Sequence, residues 1–188
     1  MPAGSASRRP DRRPAQTIRK LLDAGLEELR TSTYSGVTMR AVAARAGVSP
    51  ASAYRYFPSK DALVAGLYLE LLQDAPRHVD VNDSAFTRVS STMRDMALVG
   101  ADEPELTAAC AAALLADDPA VSPVRLEIAN EVSARIRSAL GPGWTESAKS
   151  TLEMAFAGAM MAARVLTVDQ IFDRLDDAVA LVLGCGAP

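Results

Sequence analysis

From Ala15 onward apolar residues recur at spacings of three and four, and no segment alternates apolar and polar positions over strand lengths. The pattern predicts an all-α chain of about nine helices. A first helix over residues 15–30 sets Ile18, Leu21, Leu22, Gly25, Leu26 and Leu29 on one face, with Arg19, Lys20, Asp23, Glu27 and Glu28 opposite. Thr38 then stands as an N-cap, and Met39, Val42, Ala43 and Ala46 form a short stripe that stops at Gly47, a natural left-handed terminator. Ser49 caps a third short helix with Pro50 at its first position, running to about Phe57 before Pro58. Ser59 caps a long fourth helix through Leu63, Leu67, Leu71 and Leu72 to about Ala75.

The later punctuation is as regular. Residues 82–84 open a helix ending near Gly100, and Pro104 opens one ending near Ala116. Pro123 lies near the start of a helix striped by Val124, Ile128, Val132, Ile136 and Leu140. Thr145 caps a long helix to about Leu166, and Asp169 is expected to cap the last, which ends at Gly184. The apolar runs at residues 108–116 and 155–163 fall short of the roughly 20 residues that cross a membrane.

Charge divides unevenly along the 188 residues. Residues 1–60 hold eleven Lys or Arg against four acids, a net +7, while the remainder holds nine against nineteen, a net −10. A basic head on an acidic body is the footprint of a polyanion-binding module joined to something else. Arg8, Arg9, Arg12 and Arg13 precede the first helix in a proline-containing segment with no apolar stretch after it. That is not a secretory signal, and the chain is expected to stay in the cytoplasm. Residues 1–14 are expected to form a disordered basic arm, either reaching DNA or acting as a solubilising tail.

The two short helices around Gly47 and Val48 match a helix-turn-helix, in which the second helix enters a major groove. Val48 is expected to be the buried residue of the turn, leaving Ser49, Pro50, Ala51, Ser52, Arg55 and Tyr56 outside. Small residues at that helix start allow close approach to base edges. Thr38 offers a hydroxyl at a helix start, Tyr54 and Tyr56 offer phenols, and Lys60 a cation, all suited to phosphate. Arg40, Arg45 and Arg55 add positive charge.

The stretch from Thr38 to Leu63, with its Tyr54, Tyr56, Phe57, Lys60 and Leu63 spacing, closely resembles the DNA-binding signature of the TetR family of bacterial transcriptional regulators. The resemblance covers about residues 15–72. Thr33 stands where the family usually has glycine, Gly25 where alanine is common, and Ala53 where leucine is usual. The resemblance implies a homodimeric repressor: residues 15–60 as reading head, residues 61–188 as ligand-binding and dimerisation body, and a palindromic operator in double-stranded DNA as partner. A two-fold pair doubles the few base contacts of one short helix.

In such proteins the last two long helices pair with their copies. Here that implies Ala155, Gly158, Ala159 and Ala162 on the eighth helix and Ile171, Leu175, Val179 and Val182 on the ninth. Small and flexible apolar residues, among them Met93, Met96, Cys110, Leu114, Phe156 and Met160, are those of an adaptable cavity for an apolar effector, or of a plain core. An effector would release the operator by favouring a body conformation whose heads no longer match successive grooves. The sequence leaves open a regulator without small-molecule control, whose body only dimerises or binds a protein, and an activator.

Nothing points to an enzyme. His78 is the single histidine, Cys110 and Cys185 are 75 positions apart among small apolar residues, and neither a catalytic set nor metal-ligand spacing occurs. No cofactor is expected.

Overall fold

Local capping chemistry sets the first four helices of the computed structural model, which describes residues 13–77, 80, 82–101, 103–163 and 165–184. The expected arm through residue 12, together with His78 and Cys185, lies outside the described residues. α1 (Arg13–Thr31) starts two residues earlier than its apolar stripe indicates. α2 (Met39–Ala46) begins where the Thr38 hydroxyl accepts from the Ala41 N–H at 3.2 Å, and Gly47 closes it at φ +67°. α3 (Pro50–Tyr56) and α4 (Lys60–Asp74) start in the same way, from the hydroxyls of Ser49 and Ser59.

The body adds α5 (Ala85–Ala97), α6 (Pro104–Leu115), a 3₁₀ turn at Pro119–Val121, α7 (Ser122–Leu140), α8 (Glu146–Ala162) and α9 (Val168–Leu183). Among the described residues there is no strand, and no helix is long and apolar enough to cross a membrane. α8 stops short of Leu166 because the Ala162 carbonyl accepts from both Val165 and Leu166, 2.9 Å each, and turns the chain back. That turn moves the last cap from Asp169 to Thr167. Its hydroxyl accepts from Gln170 N–H while the Gln170 side chain accepts from Thr167 N–H, a capping box.

Two cores share α4. The first joins Leu21, Leu29, Val42, Ala53, Phe57 and Leu63 to Leu106, Ala109, Cys110 and Ala113 of α6, so it runs across residue 60 without a break. The second fills the space between α5, α7, α8 and α9 with Met93, Met96, Ile136, Leu140, Leu152, Phe156 and Leu175. Burying a leucine or methionine of this kind contributes roughly 2 kcal/mol. Close approach to α4 is allowed by missing side chains: a Cβ on Gly25 would lie 3.1 Å from Leu63 Cδ2, and one on Gly66 would lie 2.9 Å from Phe57 Cε1.

The C-terminus of α4 is held by a buried arginine. Arg135 of α7 donates to the carbonyls of Gln73, Ala75 and Pro76 at 3.1–3.2 Å and to Glu131 at 2.7 Å. A cation over the last carbonyls of a helix satisfies groups that have no partner within it.

Candidate nucleic-acid interface and body cavity

The three head helices pack through Met39, Val42, Ala43, Ala53 and Phe57, all buried, with Ala46 partly so. Val48 is half-buried rather than enclosed, packed against the first core. That packing leaves Thr38, Arg40, Ser49, Pro50, Ala51, Tyr54 and Arg55 exposed and Ser52, Tyr56 and Lys60 half-buried. The outer face of α3 is therefore small at its start and aromatic and cationic toward its end. A cleft of about 400 Å³ lies beside it, lined by Arg13 and Thr17 of α1 and by Ser49, Ser52, Arg55 and Tyr56.

The cations differ in how they are held. Arg40 meets no partner among the described residues, and Arg55 donates to the Tyr56 hydroxyl at 2.9 Å while lying 4.9 Å from that ring's centre. Arg45 is tied to Glu28 of α1 at 2.7 Å. Lys60 donates to the Tyr34 carbonyl at 2.8 Å and sits 4.2 Å from the Tyr34 ring centre, and Tyr34 in turn donates to Asp61. Burial first, and then that bond to Asp61, push the Tyr34 phenol upward. Lys60 is thus a link between the α1–α2 turn and α4 as well as a surface charge.

In the body, Tyr68 and Leu71 of α4, Leu106, Thr107, Cys110 and Leu114 of α6, and Met160 and Met161 of the α8 end line a half-open apolar cavity of about 160 Å³. It continues into a larger cleft of about 500 Å³ that shares Ala97, Thr107, Ala111, Met160 and Ala163. Burial pushes the Cys110 thiol up to about 12, and burial likewise pushes the Tyr68 phenol to about 12. Both are neutral at physiological pH.

The model of bacterial regulatory proteins of the tetR family matches residues 21–67. Over 177 residues the chain is 48% identical to an uncharacterised HTH-type transcriptional regulator of Mycobacterium tuberculosis, covering 92% of this chain and 83% of the relative. The chain belongs to the TetR family. Its fold is also that of a TetR transcriptional regulator from Rhodococcus sp. RHA1, with a TM-score of 0.79 at 19% identity, covering 94% of this chain and all of the other. Thermus thermophilus FadR, a TetR-family repressor in complex with lauroyl-CoA, has a TM-score of 0.64 at 18% identity, covering 91% and 95%.

This TetR-family chain is a DNA-binding transcriptional regulator and not an enzyme. Of the residues expected around an effector, Cys110, Leu114 and Met160 line the cavity, whereas Met93, Met96 and Phe156 fill the second core. Of those expected between subunits, Ala155, Gly158, Ala159 and Ala162 border an open groove of about 230 Å³ along α8 and α9. Ile171, Leu175 and Val179, expected between subunits, are buried in the chain's own core against α5, although Ile171 and Leu175 also border that groove, and Val182 is half-buried. The strongly exposed apolar residues of α8, α9 and the turn between them are Met154, 73% exposed, Met161, 62%, Val165, 83%, and Leu181, 83%.

Sequence reasoning missed Tyr68 in the cavity wall. α4 is apolar on nearly every side, so its periodicity does not mark which residue faces a void.

Proposed function

We propose that this TetR-family regulator is a homodimeric repressor that binds a palindromic operator and is released by a small apolar effector held between α4, α6 and α8. One observation carries the reading. Leu106 and Cys110 line the cavity and are also buried members of the core that holds Val42, Ala53 and Phe57 of the reading head. A molecule that moves α6 therefore acts on the head through α1 and α4, the helices on which α6 packs. A preference of the effector for one α6 position is then a preference for one head position, which is all that release requires.

On the DNA side, Thr38, Arg40, Tyr54 and Lys60 take phosphates, and Ser49, Pro50, Ala51 and Ser52 lie against base edges. Arg55 and Tyr56 brace each other beside the cleft that Arg13 lines. Dimerisation is supported by the exposed apolar residues Met154, Met161 and Val165 and by Gly158, where an added Cβ would meet nothing within 4 Å. A second helix can approach closely there.

The test is selection from a pool of random duplex DNA at near-physiological salt, together with sedimentation of the free protein. A selected palindrome with half-sites about one helical turn apart, or a multiple of it, and a dimer in solution are expected. Recovery of an asymmetric single site by a monomer would overturn the dimeric reading.

A further inference from the structure

On its reading as the effector site, which the proposal below requires, the cavity has a wall chemistry that sets the class of molecule it takes. No residue lining either the cavity or its larger extension, among those described, is charged. Burying an ionised group there without a partner is costly, so the wall selects against charge. Three side chains break the apolar lining: Tyr68, Thr107 and Cys110. The Thr107 hydroxyl is already spent on the Gly100 carbonyl at 2.8 Å. The Tyr68 hydroxyl meets no partner among the described residues, and the Cys110 thiol, a weak donor, lines the same wall.

We propose that the cavity takes an uncharged apolar molecule bearing one hydrogen-bond-accepting oxygen, a ketone, ester or lactone carbonyl, which receives the Tyr68 hydroxyl. A phenol donates more strongly than it accepts and the Cys110 thiol beside it is at best a weak donor, so an acceptor oxygen is the better complement to this wall. An acceptor oxygen takes a half-buried hydroxyl that has no protein partner among the described residues, while the hydrocarbon part fills the space between Leu71, Leu106, Leu114 and Met160. Size fits as well: an apolar cavity of about 150 Å³ holds benzene, and here the open extension accommodates a longer tail.

Three matched probes test this on the full chain by equilibrium dialysis: butyrophenone, n-butylbenzene and 4-phenylbutyrate. The ketone is expected to bind the wild type about threefold to tenfold more tightly than the hydrocarbon, with the carboxylate weakest. In Tyr68→Phe, which keeps the ring and its volume, ketone and hydrocarbon are expected to bind equally and the hydrocarbon to bind as in the wild type. Equal binding of the two in the wild type, or a ketone preference that survives in Tyr68→Phe, overturns the role of the hydroxyl and leaves the cavity standing. Tightest binding by the carboxylate overturns the neutral ligand class. If none of the three binds the wild type, and filling the cavity by Leu114→Trp changes nothing in operator release, the effector-site reading falls and the ligand class with it.

Discussion

Arg30 near the end of α1 grips Glu103, the residue before α6, through two hydrogen bonds, Nε to Oε2 at 2.9 Å and Nη2 to Oε1 at 2.6 Å. Head and body are therefore fastened at the N-terminal end of the same helix whose side chains line the cavity. Both side chains are partly exposed, so the pair adds little to stability and acts as a positional tie between α1 and α6. Glu103→Gln is expected to leave the Tm near that of the wild type while weakening the effect of any cavity ligand on operator affinity. The check is a DNA titration with and without ligand, and an unchanged ratio would remove the tie from the coupling.

The pH behaviour of this tie is set by its geometry. The hydrogen bond from Arg30 holds the Glu103 carboxyl below its usual range. A depressed folded value means that the contribution is complete above the ordinary glutamate value of about 4.3 and is lost as pH falls through the depressed one. Coupling between ligand and DNA is thus expected to be flat from about pH 6 to 8 as far as this pair is concerned, a plateau that parallel DNA titrations across that range would reveal.

On the DNA face, Arg40→Ala removes an exposed cation that no described residue holds. It is expected to weaken binding to all sequences alike and to lower the salt slope by about two, one for each subunit of the proposed dimer. Ala51 or Ser52 substitutions are expected instead to change which sequence is preferred. Lys60→Ala adds a structural cost to a lost charge, because it also releases Tyr34 and the turn before α2. Its signature is lower affinity for every sequence together with a lower Tm, and a sequence-selective loss at Lys60 would contradict the assignment.

Arg135 is the polar residue on which the α4 terminus depends. Arg135→Ala leaves the carbonyls of Gln73, Ala75 and Pro76 and the Glu131 carboxylate without their buried donor. A loss of about 3 kcal/mol is expected, read as a fall of roughly 1 to 2 M in the urea midpoint.

How much of this was legible in the chain depends on the range of the chemistry. Thr38, Gly47, Ser49 and Ser59 declare their helix ends because a cap needs only residues three or four apart. Partners far apart in sequence are a different matter: Arg45 reads as a free cation until Glu28 is found 17 residues away, and Lys60 until Tyr34 is found 26 away. Ile171, Leu175 and Val179 were correctly legible as one apolar face of α9, but periodicity does not say whether α5 or a second chain covers it. Thr167 displaced Asp169 as the cap because the Ala162 turn, invisible in the pattern, ended α8 early.

The two glycines on the α1–α4 side separate packing from propensity. Replacing a helical glycine by alanine gains up to about 1 kcal/mol from the backbone alone. At Gly25 the new Cβ would stand 3.1 Å from Leu63 Cδ2, a methyl that needs to yield only a few tenths of an ångström. Gly25→Ala is therefore expected to be neutral or slightly stabilising, within about 0.5 kcal/mol. At Gly66 the Cβ would stand 2.9 Å from Cε1 of Phe57, whose buried ring closes α3 against the core and has no comparable freedom. Overpacking of that kind costs about 1 to 3 kcal/mol, which exceeds the gain in propensity. Gly66→Ala is expected to lower stability by about 1 kcal/mol and, by displacing Phe57 under the reading helix, to weaken operator binding more than its stability loss explains. Denaturant unfolding and DNA titration of both variants check the pair; if Gly66→Ala were as harmless as Gly25→Ala, the contact between Phe57 and α4 would not be what positions α3.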